Sequence, residues 1–141
     1  MEKKYLAQII ATDNEGLQLI SACLSGAKSN VANIKYLPSN KVFLLSIERT
    51  KIESGQPNKK INSICRFDFV DKVKSKNINQ KKKDKILEFL TMSTILKDDD
   101  TYQTKLIFSG NSNIILFTEQ IDVLFEDIGS YWIVKNQPKH I

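Results

Sequence analysis

Few side chains in this chain could carry out chemistry. The only histidine, His140, stands next to the C-terminus. Acid–base and nucleophilic mechanisms need a titrating base held within hydrogen-bond reach of the reacting group. A terminal residue, expected to fray, does not supply one. Cys23 and Cys65 lie far apart, and neither belongs to a C-x-x-C pair. That spacing reads as two reduced, mostly buried thiols rather than a zinc or redox motif. Asp98-Asp99-Asp100 offers oxygen ligands, but three consecutive carboxylates diverge and calcium-loop spacing is missing, so the run reads as a solvated turn. Asp122, Glu126 and Asp127 read as the polar side of a helix. The five glycines form neither G-x-x-x-x-G-K-[ST] nor G-x-G-x-x-G, so a phosphate-cradling loop is not expected. The reading is therefore no catalytic residue, no metal site and no cofactor.

One pattern rises above this background, and it is basic. Between Lys59 and Lys85 stand Lys59, Lys60, Arg66, Lys72, Lys74, Lys76, Lys81, Lys82, Lys83 and Lys85, opposed by Asp68, Asp71 and Asp84. In an extended strand, side chains alternate between faces. Cys65, Phe67, Phe69 and Val73 then share an apolar face, and Arg66, Lys72, Lys74 and Lys76 share the solvent face. The Lys81, Lys82 and Lys83 loop continues it. Such a surface can track a phosphate backbone. No aromatic residue interleaves the lysines on that face, and lysines on a strand also guard an edge against aggregation. The overall charge of +5 over 141 residues carries less weight. An excess of Lys, Asn and Ile over Arg is what AT-rich coding produces.

Positioning these residues calls for a sheet. Tyr5–Thr12 reads as a strand, and Asp13 as the N-cap of a helix over Asn14–Ser25, with Leu17, Ile20 and Leu24 on one face and Gly26 as its stop. Val31–Leu37 and Lys41–Thr50 read as a hairpin around Pro38-Ser39-Asn40. Ile52–Lys60 reads as a polar loop and Ile64–Lys76 as one strand with a bulge near Asp71. Ile86–Leu96 fits a helix or a strand, and its β-branched and aromatic residues tilt it to strand. Tyr102–Phe108 and Asn113–Phe117 flank the turn Ser109-Gly110-Asn111-Ser112 and predict a second hairpin. Ile121, Leu124, Phe125 and Ile128 recur at i, i+3, i+4 and i+7, which predicts a second helix from the cap Thr118 to the stop Gly129.

The expected class is α+β. A mostly antiparallel sheet of about seven strands carries one helix after the first strand and one C-terminal helix. The sheet is either open or strongly bent into a partial pleckstrin-homology-like barrel. Residues 1–135 read as one globular domain and 136–141 as a short flexible tail. No signal peptide and no apolar run long enough to span a bilayer are visible, so a cytoplasmic protein that does not enter membranes is expected.

Several segments, taken together and in order, resemble a family. These are Asp13-Asn14-Glu15-Gly16-Leu17-Gln18-Leu19-Ile20-Ser21-Ala22-Cys23-Leu24, Asn33-Ile34-Lys35-Tyr36-Leu37-Pro38 with Val42-Phe43, and Arg66-Phe67-Asp68-Phe69-Val70. Leu106-Ile107-Phe108-Ser109-Gly110, Glu119 to Leu124 and Trp132 complete the set. The resemblance is to an uncharacterised, mainly alphaproteobacterial family, domain of unknown function 2948, and covers nearly the whole chain. Ile47-Glu48-Arg49-Thr50 departs from the family's aromatic N-R-F-x-W stretch, with Arg49 alone corresponding. The resemblance implies no activity, cofactor or catalytic residue.

Three functions stay in competition. First comes a non-catalytic protein-interaction or self-association module. The alternative is nucleic-acid or other polyanion binding through Arg66, Lys72, Lys74, Lys76, Lys81, Lys82 and Lys83. The last is a small-molecule enzyme with a carboxylate site, which would need a pocket lined by carboxyls of raised pKa.

Overall fold

The early elements follow the sequence pattern. β1 (Gln8–Ala11) leads into α1 (Asn14–Leu24), whose N-cap Asp13 accepts a hydrogen bond from the Gly16 N–H at 2.8 Å. Leu17, Ile20 and Leu24 are fully buried on one face of α1. The helix stops at Gly26, which takes φ +85°, a left-handed conformation that costs glycine nothing. Asp13→Ala is expected to lower stability by about 1 kcal/mol, measured by urea unfolding, because one helix N–H loses its partner.

The computed structural model describes residues 6–50, 59–97 and 100–133. The expected loop over 51–58, Asp98, Asp99, His140 and the expected tail lie outside them. After α1 come β2 (Lys28–Asn30), a 3-10 turn (Val31–Asn33), β3 (Ile34–Leu37) and β4 (Val42–Thr50). The stretch expected as one strand from Val31 thus begins with a helical turn, anchored by Val31 N–H to Lys85 O at 3.0 Å and Ala32 N–H to Lys83 O at 3.2 Å. Then follow β5 (Lys59–Phe67), β6 (Val70–Lys76), β7 (Ile86–Leu96), β8 (Tyr102–Phe108), β9 (Ser112–Thr118) and β10 (Val123–Ile133).

Among the described residues these ten strands form one antiparallel sheet in the order β1-β10-β5-β4-β2-β7-β8-β9-β6, with β3 alongside β4. The sheet does not close, and β1 and β6 are its ends. It curls around a single core in which Phe43, Phe67, Phe89, Phe108 and Phe125 are all buried. Pairs Phe43–Phe67 and Phe89–Phe108 meet edge-to-face, each with ring centroids 5.9 Å apart. α1 lies against β7, where Ser21 Oγ accepts the Met92 N–H at 3.1 Å. Among the described residues no helix is long and apolar enough to cross a membrane.

Two expectations are corrected. The second helix is not formed: Val123–Ile133 is β10, a strand paired with both β1 and β5. Its residues satisfy both periods. Ile121, Leu124, Phe125 and Ile128 fit a helical stripe, but Val123, Phe125 and Asp127 bury alternately as a strand requires, while Ile128 is 55% exposed. With that strand, the short β2 and the divided segments, about seven strands become ten. The second correction concerns Ile64–Lys76, which is two strands. At Phe69 the backbone takes φ +59°, and the chain leaves β5 to join the far end of the sheet as β6. The expected bulge is nevertheless present, as a register shift between Val70 and Lys72.

Candidate polyanion-binding face

The half of the sheet formed by β6, β9 and β8 presents one face to the core and one to solvent. Ile114, Leu116, Leu106 and Phe108 fill the inner face. Register fixes the outer face as three cross-strand rows, since residues opposite each other share a side of the sheet. Lys72 pairs with Phe117, which pairs with Gln103; Lys74 with Ile115 and Lys105; Lys76 with Asn113 and Ile107. The Lys72 and Lys74 ammonium groups sit over the Phe117 ring, 5.5 and 5.7 Å from its centroid, close enough for cation–π attraction. None of the nine residues is acidic.

Two acidic groups border the first row, Asp71 next to Lys72 in β6 and Glu119 just beyond β9, and both pair with Lys41. Lys41 Nζ stands 2.9 Å from Asp71 and 3.6 Å from Glu119. The Asp71 hydrogen bond, its charge and that of Glu119 raise the Lys41 ammonium above the usual lysine value. At the opposite end the face runs into one of two recesses that share Asn77. One, of about 340 Å³, is lined by Lys76, Asn77, Lys105, Ile107, Asn111, Ser112 and Asn113. The second, of about 390 Å³, is lined by Asn77, Asn79, Lys82 and Lys85 together with the apolar Val31, Ile78 and Leu87.

Of the residues singled out from sequence, Lys72, Lys74 and Lys76 come together on this face. Arg66 does not join them. It projects from β5 in the other half of the sheet, where its guanidinium is 3.0 Å from Asp68. The loop lysines divide. Lys82 lines the second recess, Lys81 is exposed on a turn where its N–H bonds Asn79 Oδ1 at 3.0 Å, and Lys83 lines a separate small cavity with Tyr36, Val73 and Ser75. Lys105 and Phe117 were missed by reading along the chain, because they arrive from β8 and β9. Their signal is a lone charge and an aromatic residue in the solvent register of the predicted hairpin.

Three further features bear on function. Arg49 Nε and Nη2 bond Asp127 Oδ1 and Oδ2 at 2.9 and 2.8 Å. Ser63 Oγ donates to Oδ1 at 2.7 Å and the Ala7 N–H to Oδ2 at 2.8 Å. Arg49 also lies over the Phe125 ring at 5.4 Å. Burial alone would raise the Asp127 carboxyl, but hydrogen bonds from Arg49, Ala7 and Ser63 and the Arg49 charge outweigh it and hold the group below the usual carboxylate value. Asp127, expected on a helix's polar side, is thus buried and ion-paired. Burial pushes the Cys65 thiol far up, so it stays protonated and inert. A surface groove of about 930 Å³ is lined by both charge signs, with Lys28, Glu48 and Asn62 among its residues.

A family model described as a protein of unknown function, DUF2948, matches residues 7–140. The chain belongs to this family. Searches of curated proteins and of solved structures returned no match. Membership in DUF2948 fits the segment resemblances and brings no activity with it. Arg49, in the Ile47-Glu48-Arg49-Thr50 stretch of β4, forms the buried ion pair with Asp127.

Proposed function

We propose that this DUF2948 protein is a non-catalytic binding module whose ligand is a polyanion held on the outer face of β6, β9 and β8. The observation that carries the reading is the convergence of Lys72, Lys74 and Lys105 around Phe117 and Ile115, with no carboxylate in the three rows. With Lys76, the ammonium groups on this sheet face attract phosphates electrostatically, and the half-buried aromatic and aliphatic surface between them suits contact with bases. This arrangement favours polyanion binding over self-association through the β6 edge, because a lysine-lined edge opposes strand addition. An acid–base site gains no support from Asp127, whose carboxylate is held ionised and fully engaged.

Lysine acetylation footprinting with an oligothymidylate of ~12 nucleotides tests the proposal. Bound oligonucleotide is expected to protect Lys72, Lys74, Lys76 and Lys105 and leave Lys28, Lys35 and Lys97 labelled as in the free protein. Uniform protection across all lysines, or none, would overturn it.

A further inference from the structure

We infer that the two recesses at the end of this face form a paired site for successive phosphates of one nucleic-acid strand, divided by Asn77. The inference rests on the polyanion reading and specifies its ligand. Asn77 lines both recesses. It is held in place by the β8–β9 turn, since its Nδ2 donates to Asn111 O at 2.9 Å and its carbonyl accepts from Ser112 Oγ at 2.8 Å. These bonds tie the partition between the recesses to the β8–β9 turn. On one side stand Lys76 and Lys105, on the other Lys82 and Lys85, all exposed. Among the described residues neither recess is lined by Asp or Glu.

Two lysines per recess offer rotatable ammonium donors on flexible stems, which suit a phosphate approached from several directions. A single phosphate can occupy only one recess. Because Asn77 lines both, the recesses adjoin, and a strand that reaches both makes its second contact intramolecularly, so the affinities reinforce each other. Unpaired bases have somewhere to go. Ile107 borders the first recess, and Ile115 and Phe117 continue the apolar surface between the lysine rows. A duplex keeps its bases stacked away from such a surface, which favours a single strand.

Fluorescence anisotropy on the full chain tests this, using an oligothymidylate of ~12 nucleotides, the same strand in a duplex, and vesicles containing phosphatidylserine. The variants are Lys76→Gln with Lys105→Gln, Lys82→Gln with Lys85→Gln, and all four together. Thermal unfolding first confirms that each variant folds. Each pair is expected to weaken oligonucleotide binding about tenfold or more, and the combined loss to exceed that of either pair alone. Inorganic phosphate should compete only weakly. If both pairs bind like the wild type while Lys72→Gln with Lys74→Gln weakens binding, the paired site is wrong and the polyanion face survives. A loss from only one of the two pairs overturns the pairing. Duplex or vesicle binding as tight as the single strand overturns the choice of ligand. No binding of any probe by the wild type overturns both this inference and the function on which it rests.

Discussion

Arg49→Ala is expected to destabilise the protein by about 3–5 kcal/mol, the cost of leaving one partner of a buried ion pair alone. Against a total stability of about 5–15 kcal/mol, this takes a large share of what holds the fold. The side chains of Arg49 and Asp127 are 2% and 0% exposed, so water cannot replace the missing guanidinium. The network ties together β4, β5, β10 and the segment entering β1. Urea unfolding followed by circular dichroism measures the loss. A second variant separates the charge from the space it fills. Arg49→Met combined with Asp127→Leu removes both charges and should cost clearly less than either single change. Equal loss in the double variant would show that packing, rather than the unpaired charge, dominates.

The same network gives a pH dependence. The folded Asp127 carboxyl lies below its ordinary value of 3.8. Its contribution is therefore fully present above the unfolded value and is lost as pH falls through the folded one. Acid unfolding of the wild type should steepen from about pH 4 downward. Asp127→Asn should be less stable at neutral pH and lack this component of the acid profile.

The second large effect concerns binding. Replacing Lys72, Lys74, Lys76 and Lys105 together by Gln should weaken oligonucleotide affinity by about 100-fold or more at low salt, since a phosphate with no ammonium partner keeps its condensed counterions and their release no longer favours binding. Arg66→Gln should change it less than about twofold, because Arg66 is occupied by Asp68 in the other half of the sheet. Fluorescence anisotropy with an oligothymidylate reads both. Comparable losses in the two variants would indicate attraction by net charge rather than by this face.

The parts legible in the sequence are those whose signals are local. Asp13 marks the start of α1, Leu17, Ile20 and Leu24 mark its buried face, and Gly110-Asn111 marks the β8–β9 hairpin. Each depends on neighbours within a turn or two. β10 was illegible because its decisive interaction is distant. A carboxylate in the buried register of a strand looks wrong until its partner is known, and Arg49 lies 78 positions away. Read alone, Asp127 belongs to the polar side of a helix, and the hydrophobic spacing around it permits one. The lysine face was half legible for the same reason. Alternation along β6 places Lys72, Lys74 and Lys76 together, but Phe117 and Lys105 reach them only through strand pairing. Arg66 was grouped with them because the left-handed Phe69, where the chain changes sheet halves, is a residue type that rarely adopts that conformation.

The central claim is that a lysine face with its apolar middle binds a polyanion by phosphate contact. The most direct test is the slope of log affinity against log salt for a ~12-nucleotide oligothymidylate. Engagement of about four phosphates predicts a slope near −2.8 in the wild type, with most of it gone when Lys72, Lys74, Lys76 and Lys105 are Gln. An affinity that stays flat with salt, or a slope the four substitutions leave unchanged, would contradict the claim.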